Sequence, residues 1–138
     1  MYRYILDTHV LLWFLEEKPR LPKNIYDEIK YFQHKYFVSF LSLIEIDNIR
    51  KLGKVVLKYT FLEIIEQLRY SSIEILFGNK SDLETLSLLE MKIIDGKSHG
   101  DYIDRTIIAT AIANQCTCIS ADTKFPFYEK NGLKLLQI

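Results

Sequence analysis

The chain has 138 residues, with 18 basic and 18 acidic side chains and no formal net charge. No overall positive field therefore draws it onto nucleic acid, and such a partner would have to be held by a local patch or by bound cations. With 49% hydrophobic and 26% charged residues, the composition excludes disordered and fibrous classes and suits one globular domain over residues 1–138.

Residues 2–6 read as a first strand. A short helix follows from Thr8 to about Glu16, with Val10, Leu11, Trp13 and Phe14 mostly inward. Lys18-Pro19-Arg20-Leu21-Pro22 breaks it. Ile25, Ile29 and Phe32 are spaced for a second helix over about 23–33. Tyr36 to Ser39 is a second strand. A third helix from about Leu41 to Leu52 places Leu41, Ile44, Glu45, Asn48 and Leu52 near one face, and Gly53 is placed to stop it. Leu62, Ile65 and Leu68 mark a fourth helix over 60–69, and residues 72–76 a third strand. Ser81-Asp82-Leu83-Glu84 has the form of a capping box opening a fifth helix that runs to about Met91. A loop with Gly96 and Gly100 leads into a sixth helix from Tyr102 to Gln115. Residues 116–120 form a fourth strand and 133–136 a fifth, at the edge.

Strands alternating with helices predict a three-layer α/β/α fold, a parallel sheet of four to five strands covered on both faces. Cys116 and Cys118 stand two apart on one strand face, too close for an unstrained disulfide, and read as buried free thiols of a reducing cytoplasm. The opening Met1 to Leu6 meets Asp7 before any apolar region of signal-peptide length, and no run approaches the ~20 apolar residues that cross a bilayer. A soluble cytoplasmic protein is expected.

Ligands of open parallel sheets lie beyond the carboxyl ends of the strands. Asp7 directly follows the first strand, and Asp122 lies two residues after the fourth. Asp101 and Asp104 flank the start of the sixth helix, and Glu45 sits inside Leu43-Ile44-Glu45-Ile46. If the first and fourth strands are neighbours, Asp7 and Asp122 project into one crevice, and Asp104 can reach the same end. Each acid also has a local explanation. Asp7 could cap the first helix, and Asp101 or Asp104 the sixth. Asp122 could be a turn residue, and Glu45 could be rescued by a salt bridge. Those explanations serve one residue at a time and do not account for acids gathered at one end of a sheet. Packed carboxylates raise one another's pKa unless a cation neutralises them. Oxygen-only ligands suit Mg²⁺ or Mn²⁺. Zinc is poorly served, because the cysteines lie inside a strand and His9, His34 and His99 are scattered. Among the aromatics Trp13, Phe14, Tyr31, Phe32, Tyr36 and Phe37, most read as core. Lys51, Lys54 and Lys58 could form a local basic patch or simply solvate a helix end.

The stretch Ile5-Leu6-Asp7-Thr8-His9-Val10-Leu11-Leu12-Trp13 resembles the opening of a PIN domain, in particular of the VapC-type toxins of bacterial toxin–antitoxin pairs. The resemblance continues through Val38 to Ile46 and Leu52-Gly53-Lys54, then His99 to Ala111, and closes with Ile119 to Phe125. It implies a parallel sheet with helices on both sides and a metal-dependent endoribonuclease that hydrolyses RNA with Mg²⁺ or Mn²⁺. It further implies that Asp7, Glu45, Asp104 and Asp122 match the family's acidic metal-binding positions and act in catalysis. Asp101 matches a second acid ahead of the same helix. Ser120, Thr8 and Arg105 match supporting polar or basic positions. An antitoxin partner and a homodimer are implied as well. Two departures stand out. Tyr102-Ile103 replaces the usual Pro-Phe between the two acids, and the fourth acid varies in position across the family.

Two rival classes share parts of this pattern. A phosphoacceptor signalling domain also places acids after parallel strands, but it needs paired acids after the first strand, where this chain has one followed by Thr8-His9. A catalytically inactive PIN-like binding module would keep the fold, yet the complete acid set disfavours it.

Overall fold

All residues 1–138 are described by the structure, a computed structural model. In chain order the elements are β1 (Arg3–Leu6), α1 (Thr8–Leu15), α2 (Lys23–Lys30), β2 (Lys35–Ser39), α3 (Phe40–Lys51), α4 (Phe61–Tyr70), β3 (Ile73–Leu76) and α5 (Lys80–Leu88). Two short strands follow, β4 (Ile93–Ile94) and β5 (Lys97–Ser98), then α6 (Tyr102–Ala113), β6 (Thr117–Ser120), a 3₁₀ helix (Phe125–Asn131) and β7 (Lys134–Gln137).

The main sheet has five strands in the order β3-β2-β1-β6-β7, and every pairing in it is parallel. The chain first steps outward from β1 to β3, then returns to the other side of β1. The order therefore reverses between β1 and β6, and that switch point is where such sheets open a crevice for ligands. Counted along the chain, the five main strands run 3-2-1-4-5, whereas phosphoacceptor domains use the order 2-1-3-4-5. The topology sets that rival aside.

Alternation along each central strand feeds two cores. Leu6, Val38 and Ile119 join α1, α2, α3 and α4 residues such as Leu11, Ile29, Ile46 and Ile64 on one face. Ile5, Phe37 and Cys118 join Ile107, Ile108, Phe125 and Tyr128 on the other. Both cysteines are buried free thiols. Of the aromatics, Phe14, Tyr36 and Phe37 are buried, while Tyr31 and Phe32 are exposed. Lys51 pairs with Asp47 and Lys58 with Glu17, both at the surface. No helix is long and apolar enough to cross a membrane.

Three local expectations are corrected. The fifth helix is capped two residues earlier than expected, by Asn79 with Asp82 rather than by Ser81 with Glu84. The stretch before α6 is not a plain loop: Asp95 and Gly96, with φ of 52° and 76°, turn β4 back onto β5, the geometry that favours Asp-Gly in two-residue hairpins. The third helix buries Ser42, Leu43 and Ile46, not the expected face, of which Ile44 and Leu52 are exposed. Gly53 does stop it. With φ at 73° it lets Lys54 N–H reach back to Ile49 O at 3.0 Å.

Candidate active site

β1 and β6 run side by side with Leu6 opposite Ile119, so Asp7 and Ser120 emerge together at the carboxyl ends of adjacent strands. Asp7 has extended backbone at the point where α1 begins, and its Oδ1 accepts from Val10 N–H at 2.9 Å. Its Oδ2 accepts from the Ser120 hydroxyl. Capping and a place in the crevice are thus both true of one carboxylate. Asp7 is buried, and that burial pushes its carboxyl above the usual range, with the Asp122 charge adding to it against the two hydrogen bonds.

Ser120 Oγ also accepts from Asp122 N–H at 3.0 Å, so one hydroxyl joins two of the acids. Asp122 is a turn residue as well: Oδ1 accepts from Lys124 N–H at 2.8 Å. The Lys124 ammonium lies 3.8 Å away.

Asp101 caps α6, its Oδ1 accepting from the N–H groups of Ile103 and Asp104, both at 3.0 Å. Asp104 sits in the first turn of that helix. Burial, then the charges of Asp101, Asp122, Glu45 and Asp7, push its carboxyl up to about 8. Its one close partner is His99, whose Nε2 lies 3.2 Å from Oδ2. Burial holds that imidazole below the ordinary histidine range, so it brings no compensating charge at neutral pH.

Glu45 is half-buried on α3. The bases of the same helix, Arg50 and Lys51, both go to Asp47, at 2.7 and 2.8 Å. The salt bridge that would have explained Glu45 does not form. Of the five acids, only Asp122 has a lysine or arginine partner.

This donor set is all oxygen, strongly negative and almost uncompensated. No three histidine, cysteine, aspartate or glutamate side chains are drawn together tightly enough to ligate one ion directly as they stand. Mg²⁺ commonly takes one or two carboxylates and keeps several waters, so the residues fit a hydrated hard cation better than a closed cage. A cleft of about 680 Å³ opens beside Asp101 and Asp104, with Lys97, Lys124 and Phe127 on its other walls. Asp101 and Asp104 thus border a space large enough for a segment of polymer.

The PIN domain family profile matches residues 4–131. The chain belongs to the PIN domain family. Its fold matches VapBC of Salmonella typhimurium bound to DNA, with a TM-score of 0.70 at 17% identity over 99% of this chain and 98% of the other. It also matches VapBC2 of Rickettsia felis bound to a promoter DNA fragment, with a TM-score of 0.67 at 18% identity over 98% of each chain. A toxin–antitoxin complex of Klebsiella pneumoniae gives a TM-score of 0.63 at 16% identity over 98% of this chain and 99% of that one. No curated protein matches the sequence.

Two expected supporting residues of this PIN domain work away from the acids. The Thr8 hydroxyl donates to Ser42 Oγ at 3.0 Å, tying α1 to α3 rather than orienting a carboxylate. Arg105 touches neither an acid nor open cleft. It is buried and donates to Leu89 O at 2.9 Å, Glu90 O at 3.1 Å and the Tyr128 hydroxyl at 3.3 Å. It fastens the segment between α5 and β4 to the base of α6. One residue that sequence reasoning does not single out is His99, which touches Asp104 directly. Its only signal in the sequence is its place five residues ahead of Asp104, just before the helix that carries it.

Proposed function

We propose that this PIN domain is a divalent-metal-dependent endoribonuclease and the toxin of a VapC-type toxin–antitoxin pair. One observation carries the enzymatic part: five carboxylates border the sheet's switch point, and burial, together with the charges of the other four, pushes Asp104 up to about 8. A fold does not keep such repulsion without a compensating cation or a function. Asp7, Glu45, Asp104 and Asp122 would hold Mg²⁺ or Mn²⁺, directly or through water, with Asp101 beside them. When bound, such an ion supplies an acidified water and neutralises charge on a phosphodiester.

The chain's own side chains have distinct parts in this reading. Ser120 fixes Asp7 and Asp122 in one frame. Asp7, Glu45, Asp101 and Asp104, all without lysine or arginine partners, are the acids with most to gain from a cation. Lys97 and Lys124 in the adjoining cleft offer the only positive charge on its walls toward a phosphate backbone. The toxin role and an antitoxin partner extend this reading from the structural neighbours, two of them VapBC bound to DNA and one a toxin–antitoxin complex; a homodimer and a cytoplasmic setting rest on the family resemblance alone. An inactive PIN-like module is disfavoured by the complete acid set.

Purified protein should cleave RNA internally in Mg²⁺ or Mn²⁺, and EDTA should stop it. Cleavage that persists in EDTA overturns the metal mechanism. No cleavage of any RNA with either ion, by protein that binds the ion, favours the inactive module.

A further inference from the structure

Behind Asp104 lies a line of buried polar groups that no metal ligand requires by itself. Arg105 Nη1 is 3.3 Å from the Tyr128 hydroxyl. That hydroxyl is 2.8 Å from His99 Nδ1, and His99 Nε2 is 3.2 Å from Asp104 Oδ2. Tyr128 is wholly buried and His99 nearly so. The Lys92 ammonium lies 5.6 Å from the centre of the Tyr128 ring, and the backbone N–H of His99 is tied to Lys92 O at 2.8 Å. The imidazole is therefore fixed at its backbone and at both ring nitrogens.

Donors and acceptors along this line match in one direction only. A guanidinium can only donate, so the phenol oxygen accepts from Arg105. The phenol proton then has one partner within reach, His99 Nδ1, which must be unprotonated to accept it. The ring proton is left on Nε2, where it donates to Asp104. With the proton on Nδ1 instead, the phenol hydrogen would be buried without an acceptor and would forfeit its desolvation energy unrepaid.

We infer that His99 is a positioning residue for Asp104, its tautomer set by Tyr128 and Arg105 so that Nε2–H orients the carboxylate toward the crevice. This rests on the metal reading above and deepens it. It also assigns Arg105 a role two hydrogen bonds away from His99's contact with the acid. Outer partners of this kind fix a ligand's orientation, and their loss typically weakens metal binding 10- to 100-fold.

The test has two readouts besides cleavage. Long-range ¹H–¹⁵N correlation spectra of the metal-free wild-type protein should place the His99 proton on Nε2, and Tyr128→Phe should mix the tautomers. Mn²⁺ titration should show roughly 10- to 100-fold weaker binding by His99→Leu. His99→Gln, whose amide N–H can stand near the position of Nε2, should recover most of the loss. A wild-type proton on Nδ1 overturns the inference, as does unchanged Mn²⁺ affinity in His99→Leu while wild type binds. Wild-type protein that binds no Mn²⁺ overturns the metal reading and the inference together. If His99→Leu does not fold, Tyr128→Phe decides: weakened Mn²⁺ binding supports the role, and unchanged tautomer with unchanged binding overturns it.

Discussion

Asp104→Asn is expected to reduce metal-dependent RNA cleavage by on the order of 10²–10³-fold and, at the same time, to make the metal-free fold more stable. The two effects have one origin. In the folded chain the Asp104 carboxyl is pushed up to about 8 by burial and by Asp101, Asp122, Glu45 and Asp7. In the unfolded chain it would titrate near 4. At pH 7.5 the fold must therefore either take up a proton or carry an unwanted charge. Asparagine removes that demand and still offers an oxygen to His99 Nε2. A tenfold difference in proton affinity between the folded and unfolded chain is worth about 1.4 kcal/mol. The side chain remains partly open to water, so a gain of roughly 1–3 kcal/mol is the discounted expectation. Urea unfolding of both proteins in EDTA measures it. Asp104→Asn less stable than wild type would mean that the carboxylate supports the fold instead.

In wild-type protein stripped of metal, stability should fall as pH rises from neutrality toward 8. The sign follows from proton counting. A carboxyl raised in the fold holds a proton between about 4 and 8 that the unfolded chain has already lost. Stability tracks the difference in bound protons, so it declines across that window, by at most about 1.4 kcal/mol per pH unit for one group. Above about 8 Asp104 is ionised in both states and its part of the slope vanishes; the buried thiols of Cys116 and Cys118, raised in the fold, carry the decline further there. Asp7, also raised by burial, acts in the same sense. His99, lowered in the fold, pulls the other way only below its ordinary value near 6.5. The interval from pH 7 to 8 is therefore governed mainly by the acids. Saturating Mn²⁺ should flatten the decline, because a bound cation takes the proton's place. A metal-free profile that is flat or rising between pH 7 and 8 would contradict the crowding of these carboxylates.

Much of this is legible in the order of residues. Asp7 ends one apolar strand, and Ser120 and Asp122 mark the end of another, so a parallel sheet with β1 beside β6 puts them in one crevice. Strand and helix types follow from periodicity, since each main element is long enough to show one. The two-residue strands around Asp95-Gly96 are too short for any period, and only the turn dipeptide signals them. The cap at Asn79 is hidden because Ser81, two residues on, is an equally good capping type. The third helix buries Ser42 along with Leu43 and Ile46, and the Ser42 hydroxyl pairs with that of Thr8, a partner 34 residues away that apolar spacing cannot reveal. Glu45 therefore faces partly open space rather than an apolar core. His99 looks scattered in the sequence because what defines it is Tyr128, distant along the chain and joined to it only by the fold.

Calorimetric titration of Mn²⁺ into wild-type protein at pH 7, in two non-chelating buffers of different ionisation enthalpy, goes to the heart of the site. With Asp104 held near 8, binding should release about one proton per ion, a release that is absent in Asp104→Asn. No binding at all would show that these carboxylates do not share a cation, and saturable binding with no proton released would contradict the crowding that holds a proton on Asp104.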